Sequence, residues 1–227
     1  MVAMDIYEAI RKRRDVRSWF SGRHIENDVI SRILDAGNRA PSVGLSQPWN
    51  FIIIRNVETR KKIKSIVEAK KEEFYKGLPD GKKEKFKNIK IEGIMESDLN
   101  ICVTCDSTRK GPDILGRATI PETSEYSVVL SIENMWLAAR AEGIGMGWIS
   151  FFDPEDIKPV LGIPENIKII AYLAVGYLNE DHDIPELEEK GWERRIPISN
   201  LVYENFWGNP PEENLEKDLE NYSFQRK

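Results

Sequence analysis

The sequence predicts an α+β fold. Three observations carry that reading. Several stretches place apolar residues at helical spacing, four shorter runs are apolar throughout and read as buried strands, and their order lacks the regular strand–helix–strand alternation of a parallel sheet. With 227 residues and a hydrophobic fraction of 41%, the chain can build one large domain with a real core.

In chain order, Asp5 to Lys12 reads as a helix with Ile6, Ala9 and Ile10 on one face. Asn27 to Arg39 is a second helix, with Val29, Ile30, Ile33, Leu34 and Gly37 at helical spacing. Ala40-Pro41-Ser42-Val43-Gly44 ends it and opens a loop. Trp49 to Arg55 reads as a buried strand. Charged helical sequence runs from Val57 to about Lys76, followed by the turn Leu78-Pro79-Asp80-Gly81. Residues 82–92 are basic and amphipathic and read as surface rather than core. The stretch of about 57–94 is therefore either a lid over a site or a solvated helical hairpin.

Asn100 to Cys105 is the next strand, followed by a loop containing Gly111, Pro112, Gly116 and Pro121. Ser124 to Glu142 is the strongest helix, apolar nearly all the way round, and Gly143 suits its C-cap. Such a helix is buried on several sides, as at a subunit interface. Met146 to Phe152 reads as a strand, Pro154 to Leu161 as a short helix, and Ile167 to Tyr177 as a further buried strand. Asp181-His182-Asp183 reads as a polar turn. The remainder is polar and proline-rich with aromatic anchors Trp192, Phe206 and Trp207, and from Pro210 it reads as a short acidic helix or a disordered end. The domain reading is thus 1–208, with an acidic C-terminal tail over 209–227.

Composition excludes several functions. A net charge of -5 and a pI near 5.4 argue against nucleic-acid binding. No apolar signal segment or membrane-length stretch is visible, so the expected location is the cytoplasm, with no membrane partner. Cys102 and Cys105 match a C-x-x-C pattern, but on a strand residues three apart point to opposite faces, so two core cysteines are expected. Two histidines, His24 and His182, stand outside any ligand-like cluster, which argues against a histidine metal site or a Ser-His-Asp triad. No metal site is expected. There is no G-x-G-x-x-G after a strand and no Walker A loop.

The densest chemistry lies in Arg13-Arg14-Asp15-Val16-Arg17. Arginine forks match phosphate oxygens, so three of them suggest an anion clamp. Asp15 would repel an anion, so it either neutralises an arginine or does chemistry beside the ligand. A basic helix end explains the segment equally well.

Several segments then agree with one family. Arg13-Arg14-x-x-Arg17, Ala40-Pro41-Ser42 with Gln47-Pro48-Trp49, Glu142-Gly143-x-Gly145-x-Gly147-Trp148 and Gly176-Tyr177 together resemble the FMN-dependent nitroreductase superfamily. Pro41-Ser42-Val43-Gly44, Ile101 to Asp106, Leu115-Gly116-Arg117, Gly147-Trp148-Ile149-Ser150, and Pro185-Glu186-Leu187 with Gly191-Trp192 narrow the resemblance to the 5,6-dimethylbenzimidazole synthase (BluB) family, from about residue 5 to Gly208. Ordinary nitroreductases usually carry serine where Asp15 stands and lack the Asp15 and Ser150 pair.

The resemblance implies a nitroreductase-like fold: a central, mainly antiparallel sheet flanked by helices, built as an intertwined homodimer with flavin sites at the interface. It implies reduced FMN as substrate and molecular oxygen as co-substrate, giving 5,6-dimethylbenzimidazole, the lower ligand of cobalamin, and D-erythrose 4-phosphate. Asp15 and Ser150 become the catalytic residues. Arg13, Arg14, Asp15, Val16, Arg17, Pro41, Ser42, Gln47, Trp148, Ile149, Ser150 and Arg195 become the flavin contacts, with Pro41 to Gln47 serving the partner's site. Asp15 would act as a general base on the ribityl chain, although pairing with Arg14 or Arg17 would weaken it as a base. NAD(P)H enters indirectly, or a separate flavin reductase supplies the electrons. The alternatives are an NAD(P)H-dependent FMN nitroreductase or flavin reductase, and a non-catalytic flavin-binding protein.

Overall fold

Four strands form one sheet in the order β1-β2-β4-β3, where β1 is Trp49–Ile54, β2 Leu99–Cys105, β3 Ile144–Ile149 and β4 Lys168–Tyr177. All three pairings are antiparallel, as the resemblance implies. The computed structural model describes residues 4–221.

The two faces of the sheet carry separate cores, and strand alternation decides which residue serves which. On β2, Leu99, Ile101, Val103 and Cys105 face one core and Cys102 the other. The two cysteines are free, buried and on opposite faces, as the strand reading required. Burial pushes the Cys105 thiol up to about 11 and the Cys102 thiol up to about 12.

Helices α2 (Asn27–Asn38) and α5 (Thr123–Ala141) cover the first face. Val29, Ile30 and Ile33 meet Val128, Ile132 and Met135 over the sheet. Burying a side chain of this size stabilises by about 1.5–3 kcal/mol, so this layer dominates the fold. Helix α1 (Ile6–Lys12), capped by Asp5 accepting from the Glu8 amide, packs beside α5. Helix α5 is not buried all round within one chain, since Tyr126, Val129 and Leu130 are exposed.

Helices α3 (Val57–Gly77) and α6 (Pro154–Leu161) cover the second face. Ile63, Val67 and Ile157 pack on Cys102, Ile149 and Tyr172. Buried Arg60 of α3 donates to the carbonyls of Ile94, Ser97 and Asp98, which ties the helix to the entry of β2. Desolvation lowers its pKa, but its buried donors are matched by backbone carbonyls.

Three expectations need correction. First, residues 82–92 do not lie wholly at the surface. After the short helix α4 (Asp80–Lys87), Phe86, Ile89 and Ile91 are buried, and the Phe86 ring sits against Phe74 and Phe151. The surrounding lysines hid a sparse apolar face. Second, β3 ends at Ile149 rather than Phe152, so Ser150 stands just beyond the strand. Third, Phe206 and Trp207 are not buried anchors, although the Trp207 ring meets that of Tyr203. They are 68% and 88% exposed, in a segment that holds no strand and only short helices to pack against.

The chain divides into two compact units, one up to Glu186 and one from Leu187. Helix α7 (Glu186–Glu189) spans the boundary in the sequence. The second unit holds a 3-10 turn at Ile198–Leu201, a Tyr203–Trp207 ring contact and the acidic helix α8 (Glu213–Asn221).

Candidate functional site

The Arg13 to Arg17 segment leaves α1 and runs along the edge of β3. Val16 donates its amide to the Met146 carbonyl at 2.9 Å, and Asp15 bridges Met146 in parallel. This approach is so close that a Cβ on Gly147 would lie 2.0 Å from the Val16 carbonyl oxygen. Glycine at 147 is therefore a steric condition for placing Asp15.

Asp15 is fixed at both oxygens. Its Oδ1 accepts the Trp148 amide at 2.9 Å and its Oδ2 accepts Arg17 Nη2 at 2.7 Å. Arg17 Nη2 also reaches the Trp148 carbonyl at 2.7 Å. The neutralising role weighed for Asp15 is thus filled by Arg17. A carboxylate offers about four acceptor positions, and two are used. The Asp15 side chain keeps 41% of its surface open, so lone pairs remain for an incoming proton.

The three arginines have different partners. Arg13 lies over the Trp136 ring at 4.9 Å and 3.6 Å from Glu133. Arg14 donates to the carbonyls of Arg11, Arg13 and Asp183. The Nε of Arg17 is buried without a hydrogen-bond partner. The orphaned donor favours an anionic oxygen, because its desolvation is otherwise uncompensated, and the Arg17 pairing of Asp15 reduces the repulsion such a ligand would meet.

Ser150 is exposed two residues past Trp148, and flanking aromatic rings fix its loop. Phe151 packs edge-on against Phe74 of α3, and Phe152 edge-on against Tyr172 of β4. Asp153 then caps α6 by accepting the Glu155 amide. Ser150, Phe151, Phe152, Phe74, Leu78 and Lys70 help line a cavity of about 530 Å³. Val16 and Ile149 are buried, and Trp148 is half-buried with its ring 6.5 Å from that of Trp136.

The remaining expected contacts lie elsewhere. Ser42 Oγ accepts the Gln47 amide, the Val43 amide reaches Ser127 of α5, and the Gln47 side chain donates to Asn38. Pro41 is exposed at the head of this loop. Arg195 is exposed in the C-terminal unit.

Sequence reasoning missed three supports. Trp136 donates its indole N–H to the Arg14 carbonyl while Arg13 covers its face. Arg140 grips Asp181 with both Nη atoms, at 2.7 and 2.6 Å, and holds that carboxyl below its ordinary range. Trp19 stacks on His182 with centroids 3.4 Å apart. The polar turn at 181–183 is therefore tied to the arginine segment. The only sequence trace of this is an unexplained arginine on the buried face of α5.

A family model described as the nitroreductase family matches residues 10–177. The chain is 39% identical over 185 residues to 5,6-dimethylbenzimidazole synthase of Rhodospirillum rubrum, covering 82% of this chain and 87% of that one. It is 31% identical over 190 residues to 5,6-dimethylbenzimidazole synthase of Rhodobacter capsulatus, covering 84% and 91%. The chain belongs to the nitroreductase family, among the 5,6-dimethylbenzimidazole synthases. Solved structures agree on the fold. An iodotyrosine deiodinase bound to FMN and 3-iodo-L-tyrosine superposes with a TM-score of 0.70 at 21% identity, over 89% of this chain and 100% of that one. A BluB-like flavoprotein from Clostridium difficile 630 gives 0.66 at 20% identity, over 88% and 98%. Among the described residues, no helix is long and apolar enough to cross a membrane.

Proposed function

We propose that this enzyme fragments reduced FMN with molecular oxygen, giving 5,6-dimethylbenzimidazole, the lower ligand of cobalamin, and D-erythrose 4-phosphate. The observation that carries the reading is Asp15. It is a carboxylate held at both oxygens, one of them by the amide of Trp148, which precedes Ser150 by two residues, in a protein 39% identical to a 5,6-dimethylbenzimidazole synthase.

The flavin is substrate here. It supplies the carbon skeleton and the electrons, and oxygen is the oxidant. The chain's own residues bind, orient and move protons. The unpartnered Nε of Arg17, with Arg13 and Arg14 beside it, holds the phosphate end. Half-buried Trp148 offers the wall against which the ring system lies, with Val16 and Ile149 buried in the core of the same chain. Asp15 takes protons from the ribityl carbons through its unused lone pairs, and its two fixed hydrogen bonds keep it aimed. The Ser150 hydroxyl meets the reactive edge of the ring. Arg195 reaches the phosphate, and Pro41, Ser42 and Gln47 act in the site of a second protomer.

A homodimer also accounts for the exposed apolar residues of α5 (Tyr126, Val129 and Leu130) and of the neighbouring loops (Leu45 and Leu115, 69% and 84% exposed). The electrons come from a separate flavin reductase or from NAD(P)H. The segment that runs through α3 and α4 closes the site against water.

The test is a product assay. Purified protein is mixed with chemically reduced FMN, air is admitted, and the mixture is separated and weighed by mass. Benzimidazole is the expected product. Clean reoxidation to intact FMN would overturn the reading and favour a nitroreductase or flavin reductase. A parallel run with oxidised FMN and NAD(P)H shows whether the chain needs a separate reductase.

A further inference from the structure

Among the described residues, four that are not glycine have a left-handed backbone: Leu45 (φ +51°), Gln47 (+47°), Lys110 (+61°) and Asn205 (+66°). Three of them meet at one place. Leu45 and Gln47 belong to the loop after α2, where Gly44 is also left-handed, and Lys110 belongs to the loop after β2. L-residues avoid this region because Cβ crowds the backbone, so the surroundings must enforce it.

The enforcing groups are two adjacent cations. Arg109 Nη1 donates to the Gln47 carbonyl at 2.7 Å and the Trp49 carbonyl at 2.8 Å, and its Nη2 reaches Asn50 Oδ1. Lys110 Nζ donates to the Leu45 carbonyl at 2.5 Å. The donors thus land on the carbonyls of the two strained residues. Their own base is rigid: Arg117 donates to the carbonyls of Arg109 and Gly111, and Asn50 bonds Thr104 across the β1–β2 pair.

We propose that Arg109 and Lys110 are positioning residues that clamp the Pro41–Gln47 loop to the sheet in a strained shape suited to the flavin. The role rests on the reading above, in which this loop contacts FMN in a neighbouring protomer. Neither cation touches the reacting atoms. They act through the loop. Strain kept in an exposed loop by charged side chains has no use for the core, where ordinary turns would serve, and such strain gathers at binding sites. Leu45 at the tip is exposed, in keeping with a loop that faces a neighbouring protomer.

The experiment compares the full chain with Arg109→Ala, with Arg109→Lys, which keeps the charge but loses the fork, and with Arg109→Ala/Leu45→Asn. Asparagine is at ease in the left-handed region. Two quantities are read well below the melting temperature: hydrogen exchange of the amides of residues 42–47, and FMN affinity by fluorescence quenching. Arg109→Ala is expected to speed exchange in the loop and weaken FMN at least tenfold. Arg109→Lys should fall between, and Leu45→Asn should restore part of the loss. Arg109→Lys gives the answer if the alanine variant does not fold.

Unchanged exchange overturns the clamp. Faster exchange with unchanged FMN affinity overturns its role in the site. A wild-type chain that binds no FMN removes the functional reading itself, a failure visible before any variant is made.

Discussion

The Asp15 segment and the Pro41–Gln47 loop are held in place by different physics. Asp15 is placed first by the sheet, through a backbone bridge to Met146, a missing Cβ at Gly147 and the Trp148 amide, and Arg17 then closes on its second oxygen. The loop has no strand to lean on. Its two left-handed residues other than glycine, Leu45 and Gln47, cost about 1–3 kcal/mol each, more than neutral hydrogen bonds of about 0.5–1.5 kcal/mol return. Charged donors, at about 1.5–3 kcal/mol each, can offset them. The carboxylate proposed as the base thus sits on regular structure, whereas the Pro41–Gln47 loop is held by cations from another loop.

The sharpest way to break this contrast is Gly147→Ala. Its Cβ would meet backbone at 2.0 Å, so a strand or the Asp15 segment must move. A loss of about 3 kcal/mol is expected, a fall of about 6–12 °C in melting temperature for a chain of this size. A shift within error would show that the bridge to Met146 is not what places Asp15. Arg17→Ala comes next. It removes the orphaned Nε and should weaken FMN by about 1.5–3 kcal/mol, the worth of a charged hydrogen bond. Equal affinity would take Arg17 out of the site. Gly44→Ala probes the loop in the same manner as Gly147→Ala probes the sheet. Its Cβ would meet the yielding side chain of Ile114 at 2.6 Å and Leu115 backbone at 3.0 Å, at φ +49°. A smaller loss of about 1–2 kcal/mol is expected. If it equals Gly147→Ala, the loop is as rigid as the sheet and the contrast fails.

Near neutral pH the core should show no effect at all. The folded thiol of Cys102 stands near 12 and that of Cys105 near 11, against an ordinary value of 9.0. Because folding raises these values, the stability contribution is full below pH 9 and shrinks as pH rises from there toward 11–12. The expected slope is at most about 1.4 kcal/mol per unit for each thiol. Thiol reagents at pH 8 should leave the native chain unlabelled, and rapid labelling would show that one cysteine is exposed.

Much of this was legible in the sequence because strands and helices are periodic. The four apolar runs became the four strands, and Asn27 to Arg39 and Ser124 to Glu142 became the two helices over the first core. Arg13 to Arg17 was visible because charge density needs no fold to be noticed. Arg109 and Lys110 were not visible. Their meaning depends on carbonyls more than fifty residues away. Arg140 and Trp136 sit on a helix whose apolar positions masked their polar contacts. Phe86 and Ile89 were lost among lysines. The end of β3 was misplaced because Phe151 and Phe152 extend its apolar run, although their rings pack on different elements.

The central claim is that one sheet-anchored carboxylate does the chemistry. Its most direct test is a single turnover of reduced FMN in air with Asp15→Asn, following bound flavin and benzimidazole together. The account predicts flavin affinity close to wild type and benzimidazole reduced at least about 100-fold, the scale of a lost general base, with FMN returned intact. Benzimidazole at near wild-type yield from that variant would contradict it.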